Sequence, residues 1–194
     1  MRQQVMKATT FRALRNFSRD KRGASAIEFA LLAPLMLGLY IGCVEISDGV
    51  AADRKVTLTA GALANLTAQV TTITVADMDN ILAASTAIMT PYTGSTAAKV
   101  SCLKIDGTGT AKVAWGVAST AVTPRAKGDV VTIPINLAVP NSSLVYSEVS
   151  YQYIPVTGFS PGFSHIGTSG ITLSDQMYMS PRITPPVYDS NSCS

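Results

Sequence analysis

The most constraining feature of this chain is one uncharged block near its N-terminus. From Phe29 to Val44 it reads FALLAPLMLGLYIGCV, sixteen residues without a charge, and extended back to Ala24 the apolar stretch has 21 residues interrupted only by Ser25 and Glu28. As an α-helix it would be about 31 Å long, close to the thickness of a bilayer's hydrocarbon core. Arg12, Arg15, Arg19, Lys21 and Arg22 precede it. A basic flank of this kind predicts a cytoplasmic N-terminus with the bulk of the chain on the far side. Two other readings fit part of the pattern. A buried core helix can be equally apolar, although it rarely follows a basic cluster. A secretory signal peptide needs an apolar core of about 7–15 residues and then a small-x-small site. Gly49-Val50-Ala51 would serve as that site and give an exported protein beginning near Ala52.

Composition enters where the rest of the chain has to be classified. Hydrophobic residues make up 47% and charged residues 14% of 194, which excludes a chain that is disordered, collagen-like or coiled-coil throughout. Residues 1–23 hold seven Lys or Arg and one acid, net +6. The remaining residues therefore carry eight basic and eleven acidic groups, net −3. A basic head on a mildly acidic body does not describe a nucleic-acid-binding face. One His and three Cys weigh against a zinc site, and Asp106, Asp129 and Asp175 lack calcium-ligand spacing. No metal and no cofactor is expected.

Glu28 is the anomaly inside the block. An ionised carboxylate in hydrocarbon costs about 2.5–3.5 kcal/mol on insertion scales and calls for a partner. No Lys or Arg lies within the apolar stretch. A cut after Gly23 would create one, because Ala24 would then carry a free α-ammonium one helical turn from Glu28, or offer it to a neighbouring subunit.

At these residues the sequence resembles a type IV prepilin signal: basic residues, Gly23, a cut, Glu28 and Phe29 at the fifth and sixth mature positions, and a hydrophobic helix. The longer run RGASAIEFALLAPLMLGLYIG is similar to the N-terminus of the TadE/TadG-like proteins of tight-adherence pilus systems. Gly23, Ala26, Glu28, Phe29, Ala30, Leu31, Pro34 and Gly42 carry that similarity. Further on, Val149-Ser150-Tyr151-Gln152-Tyr153-Ile154-Pro155, and Leu173-Ser174 followed by Met177, Met179, Pro181 and Arg182, are similar to closing strands of those domains. The resemblance implies a minor pilin or pseudopilin of a bacterial inner membrane that takes part in assembling an adhesive (Flp-type) pilus. It also implies that a prepilin peptidase cuts between Gly23 and Ala24, and that Glu28 and Phe29 serve helix docking. Other pilus or pilin-like subunits are the implied partners, with neither a nucleic acid nor a small-molecule substrate. The domain would be periplasmic or part of the pilus.

Within the span, Pro34 removes one backbone donor and predicts a kink. Gly38 and Gly42 are four apart, a small pair that lets another helix approach, although such pairs also arise by chance. Beyond it the helix can continue to about residue 75. Ala52, Val56, Thr59, Leu63, Leu66 and Val70 recur in a heptad-like stripe, read as a face packed on its own sheet rather than a coiled coil. A second helix is expected over Asp77–Ala87, capped near Ala76 or Asp77. Strands are expected over Lys99–Ile105, Thr110–Ala118, Asp129–Val139, Glu148–Ile154 and Ile171–Met179, with a hairpin turn at Asp106-Gly107 and Gly109. Residues 185–194 read as a polar tail. The organisation is thus a leader at 1–23, a transmembrane helix at 24–44, a helical stalk at 45–75, and a pilin-like α+β domain at 76–194 with an antiparallel sheet.

On the oxidising side of a membrane, Cys102 and Cys193 pair most simply as a disulfide, the alternative being two reduced thiols. Cys43 reads as a small packing residue. Gly158-Phe159-Ser160-Pro161-Gly162 matches the esterase elbow pattern with His165 nearby. Its oxyanion donor would be Pro161, which has no N–H, and no acid stands between Ser160 and His165. A surface loop is the better account, and no enzymatic activity is expected. An uncleaved, membrane-anchored binding or adhesion module remains the second reading.

Overall fold

No firm breaker interrupts the helix formers that follow the basic head, and Arg22–Gln69 form one 48-residue helix, α1, with Pro34 inside it. The computed structural model describes residues 22–92, 96–120, 122–155 and 170–193. The rest of the basic leader, the Gly158–Gly162 pattern and His165 lie outside those residues. The chain divides into two compact units, Met1–Val44 and Glu45–Ser194.

In the first unit, residues 22–44 of α1 turn large apolar side chains outward on every side. Ile27, Phe29, Leu31, Leu35 and Leu39 are each at least 60% exposed. An 18-residue window of the helix reaches a mean hydropathy of 2.0 with 6% of it buried. A helix with so many large apolar side chains exposed fits lipid or other helices, not water.

The second unit is α+β. It opens with residues 45–69 of α1, where one face is buried: Ala52, Val56, Thr59, Ala60, Leu63, Ala64, Thr67 and Ala68. The heptad-like stripe holds through Leu63 and then fails, because Leu66 and Val70 are about 40% exposed while Thr67 and Ala68 are covered. A straight α-helix repeats every 3.6 residues, so its buried face drifts about 20° per heptad away from a 3.5-residue stripe. After β1 (Thr72–Ile73) comes α2 (Val75–Met89). Its cap is Thr74, not Ala76 or Asp77. Thr74 Oγ1 accepts from Asp77 N and Asp77 Oδ2 accepts from Thr74 N, a reciprocal capping box that makes Asp77 the third helical residue.

Five strands form an antiparallel sheet in the order β4-β3-β2-β5-β6. They are β2 (Thr96–Ile105), β3 (Ala111–Ala118), β4 (Val130–Val131), β5 (Ser143–Tyr153) and β6 (Ile171–Met179). The β2–β3 turn forms where expected. Asp106 Oδ1 accepts from the N–H groups of Thr108 and Thr110 and from the Thr108 hydroxyl, and Gly109 takes φ +84°. The expected strand over 129–139 shrinks to two residues. Pro134 lacks a ladder donor, and a 3-10 turn at Ile135–Leu137 follows. β5 in turn begins five residues before the expected Glu148.

The sheet is covered on both sides. Toward the helices lie Ala98, Val100, Cys102, Trp115, Val145, Val149, Tyr151 and Tyr153, in one core with α1, Met78, Leu82 and Met89. Leu103, Ile105, Ala111, Val113, Val131, Leu144 and Tyr146 form a second, smaller core. The β2–β3 register shifts between Cys102 and Leu103 and skips Ala114, which sends Trp115 to one face and Val113 to the other.

Within the expected polar tail, residues 185–193 are built into the fold. β7 (Val187–Tyr188) pairs in parallel with β1. Trp115 Nε1 donates to Pro186 O at 3.1 Å, Tyr188 packs on Trp115 at 5.4 Å, and Arg182 N donates to Ala68 O at 3.1 Å. Cys193 is fully buried and bonded to Cys102, 91 residues away in sequence. Val187, Tyr188 and Cys193 are the apolar punctuation that ties down an otherwise polar segment.

Candidate functional site

The residues singled out by the sequence gather on α1. Gly23 and Ala24 lie in its first turn, and Glu28 follows Ala24 by four residues, which is one turn or about 6 Å of rise. Glu28 and Phe29 are exposed, Phe29 at 71%. Among the described residues no cation pairs with Glu28. Ala30, Pro34, Gly38 and Gly42 succeed one another at four-residue intervals and so share a face. At Gly38 nothing lies within 4 Å of where a Cβ would be. A small-residue face on an apolar helix lets another backbone come close in lipid, where packing and dipoles hold helices together.

A second group, which sequence reasoning missed, surrounds residues 45–50 of α1 within the second unit. Glu45 is buried, and Tyr153 Oη stands 3.3 Å from both its backbone oxygen and its Oε2. The Tyr153 ring lies over Gly49, and Tyr92 Oη donates to Asp48 O at 3.2 Å. Burial, and then the Glu45 carboxylate, pushes the Tyr153 hydroxyl up to about 12. Lys55 Nζ donates to the Ile88 and Thr90 carbonyls and so closes the end of α2. The alternation Tyr151-Gln152-Tyr153 tells which face each ring takes; it holds no signal for the acceptor.

The third feature is on the sheet face away from α1. Arg125 clamps Glu148 through Nε–Oε2 at 2.6 Å and Nη2–Oε1 at 2.7 Å. Its guanidinium lies 5.5 Å from the centre of the Tyr146 ring, which stacks on Tyr178 at 4.7 Å. Burial pushes the Glu148 carboxyl up, but the hydrogen bonds and charge of Arg125 outweigh it and the net shift is downward. The Arg125 backbone crosses the sheet over Gly116, where a Cβ would stand 2.7 Å from Arg125 O. Beside this clamp an open trough of about 460 Å³ is lined by Ala97, Lys99, Glu148, Ser150, Ser174 and Gln176 among others. Its lining combines hydroxyl, amide and charged side chains, Asp175 among them.

Cys102 and Cys193 are brought together as the simpler sequence reading expected, with Cα atoms 5.9 Å apart. Cys43 is exposed at the end of the apolar stretch. No curated protein and no solved structure matches the chain. The similarities noted at 149–155 and 173–182 lie outside the one segment that a family comparison covers. Over residues 23–64, the stretch that carries Glu28, the small-residue face and most of the buried helical stripe, the chain matches the family described as TadE-like protein.

Proposed function

We propose that the protein is a single-span minor pilin or pseudopilin that takes part in assembling a tight-adherence pilus by packing through α1. One observation carries this reading. Residues 23–44 of the segment that matches the TadE-like family are helical and rich in exposed apolar side chains, with a single acid, Glu28, four residues after Ala24. In lipid such a helix gains little from hydrophobicity alone when it meets another helix. The closely spaced small residues supply contact, and Glu28 supplies a strong preference for whichever site offers a cation.

That cation arises when a prepilin peptidase hydrolyses the Gly23–Ala24 amide. Water adds across the bond, Gly23 leaves as a carboxylate, and Ala24 gains an α-ammonium. The leader stays with the cytoplasmic face of the inner membrane and the β-domain lies in the periplasm, or with the pilus. Glu28 then neutralises the Ala24 amine of its own chain or of the next subunit. The protein contributes no catalysis of its own and takes no small-molecule substrate.

N-terminal sequencing of the membrane-fraction protein tests the processing step. Ala24 as first residue supports it, and Met1 in cells with working pili refutes it in favour of an uncleaved anchor that carries a binding or adhesion domain. Glu28→Ala is expected to leave membrane insertion intact and to impair pilus assembly. Normal piliation in that variant would remove the docking role.

A further inference from the structure

The trough beside the Arg125–Glu148 clamp is a groove that crosses the strands. Its floor is one row of small side chains in register, Ala97 on β2, Ser150 on β5 and Ser174 on β6. On the side of the clamp the next row is Lys99, Glu148 and Gln176, and on the other side stand Gln152 and Thr172. These two flanking rows are four residues apart, about 13 Å along a strand, and the three strands span about 10 Å across it. The slot, about 460 Å³, is wide enough for one extended polymer strand laid over β2, β5 and β6.

Its polar atoms are held in place. Arg125 grips both Glu148 oxygens at 2.6 and 2.7 Å, and a carboxylate accepts about four hydrogen bonds in all. Tyr146 Oη donates to Gln176 Oε1 at 2.7 Å, which commits the amide oxygen and leaves the amide nitrogen as a donor. Among the described residues, Lys99 Nζ, Ser150 Oγ, Ser174 Oγ and Gln176 Nε2 have no hydrogen-bond partner. Lys99 and Arg125 are balanced by Glu148 and Asp175, so the groove favours neither an anion nor a cation. It also lacks an apolar anchor: Val149 is 2% exposed and packs in the core toward α1. A peptide's main chain adds at a sheet edge, where backbone groups are unpaired, and not across the middle of a face.

We propose that this groove binds an uncharged, polyhydroxylated chain, a glycan strand laid across β2, β5 and β6. Each sugar hydroxyl is both donor and acceptor, and the groove answers both. Glu148 accepts, Lys99 and Gln176 donate, and the hydroxyls of Ser150 and Ser174 do either. The floor has no aromatic ring for a sugar to stack on, so affinity comes from hydrogen bonds exchanged with water and is of millimolar order. With no net charge at the contact, salt does not screen it. The proposal rests on the second unit alone and stands whether or not the chain is a pilus subunit.

The test uses the full chain in phosphatidylcholine nanodiscs, with empty nanodiscs as the blank, and saturation-transfer NMR to detect weak ligands. The probes are linear hexamers of glucose and of N-acetylglucosamine, an acidic hexamer of galacturonic acid, and a Gly/Ser hexapeptide. At least one neutral hexamer is expected to saturate with a millimolar Kd, equally at low and high salt, and to bind better than the acidic hexamer and the peptide. Ser150→Ile and Ser174→Ile fill the floor from a middle and an edge strand, and each should weaken binding about tenfold. Lys99→Ala and Gln176→Ala leave the floor open and should each weaken it about threefold. Lys104→Ala, exposed and outside the groove, should change nothing. Native emission from Trp115 shows which variants are folded, and if one isoleucine variant misfolds the other and the two alanine variants still decide. Failure of both neutral hexamers to saturate would overturn the proposal, as would binding that survives the isoleucine variants. Preference for the acidic hexamer, displaced by salt, would make the groove an anion site built on Lys99. Preference for the peptide would give it a protein partner, and either result overturns the glycan.

Discussion

Removing the Cys102–Cys193 bond by Cys102→Ala/Cys193→Ala should lower stability without loosening the native tail. The two residues are 91 apart in sequence, and closing a loop of that length in the unfolded chain is worth about 4–5 kcal/mol in the chain-entropy treatment. A domain of ordinary stability has only about 5–15 kcal/mol in total. The folded tail, by contrast, has independent ties. Arg182 N on Ala68 O, Val187 N on Thr71 O and Trp115 Nε1 on Pro186 O all remain when the sulfurs are gone. Only contacts of Cys193 itself, such as Ser143 Oγ on its carbonyl, are directly exposed to the change.

Urea unfolding of the full chain in micelles reads this out through Trp115, the single tryptophan, and through far-UV circular dichroism. With a slope of about 2 kcal/mol per molar urea, the midpoint should fall by about 2 M, and reductant added to the parent should reproduce the shift. Native Trp115 emission should be the same in both proteins. A midpoint change below about 0.5 M would refute the unfolded-state argument. Red-shifted emission from Trp115 before the main transition would show instead that the bond holds the native tail.

Gly116→Ala forces a Cβ against the Arg125 carbonyl, a backbone atom that cannot swing away, and should cost about 1–3 kcal/mol by chemical denaturation. Thr74→Ala removes one half of the α2 capping box and should cost about 1 kcal/mol; hydrogen exchange in the first turn of α2 should rise selectively. The Thr108 hydroxyl and then the Thr110 N–H hold Asp106 down at about 2, against an ordinary value of 3.8. A depressed carboxyl contributes stability that is full above its unfolded value and is lost as pH falls through its folded one, so this contribution disappears between pH 3.8 and about 2. Asp106→Asn should flatten the acid limb of stability against pH in that window. Glu148 acts in the same direction through Arg125 from its ordinary 4.5 downward, so Glu148→Gln should flatten the limb as well.

Local patterns were legible where a single residue's surroundings are set by its neighbours in sequence. The span, the β2–β3 turn at Asp106–Gly109, β6 and the α+β class all come from such patterns. Boundaries failed where tertiary partners decide. β5 starts at Ser143, ahead of the expected Glu148, where Leu144, Val145 and Tyr146 are buried and the Ser147 hydroxyl finds Ala60 O. Asp129 to Val139 look like a strand, yet Pro134 ends the ladder. The tie of Cys193 to Cys102 was legible, but β7 was not, because Val187 and Tyr188 are spread among polar residues and only the fold shows β1 and Trp115 beside them. Of the candidate site, the N-terminal helix was readable, although it ends at Gln69 rather than near residue 75 and gives way to β1. The Tyr153–Glu45 contact was not, since 108 residues separate its members.

The same helix obeys two solvents, and this explains why one end of the chain is so much more readable than the other. Between Ile27 and Val44 most positions carry a large, exposed apolar side chain, the demand that a lipid surrounding makes of a helix. Between Ala52 and Ala68 a sheet lies on one side, so that side wants small residues: Ala60, Gly61, Ala64 and Ala68 bring the backbone close enough for Ser147 to bond it at 2.6 Å and for Met177 to lie over Gly61. Both demands are written along a single line of sequence, one residue at a time. The sheet's demands are written in pairs, Trp115 with Pro186, Arg125 with Glu148, Cys102 with Cys193. A pair can be replaced by another pair without disturbing the helix, provided the face that meets α1 leaves room for its backbone. The TadE-like match ends at residue 64, inside the one-line part, and the sheet beyond it is held by contacts that a linear pattern does not record.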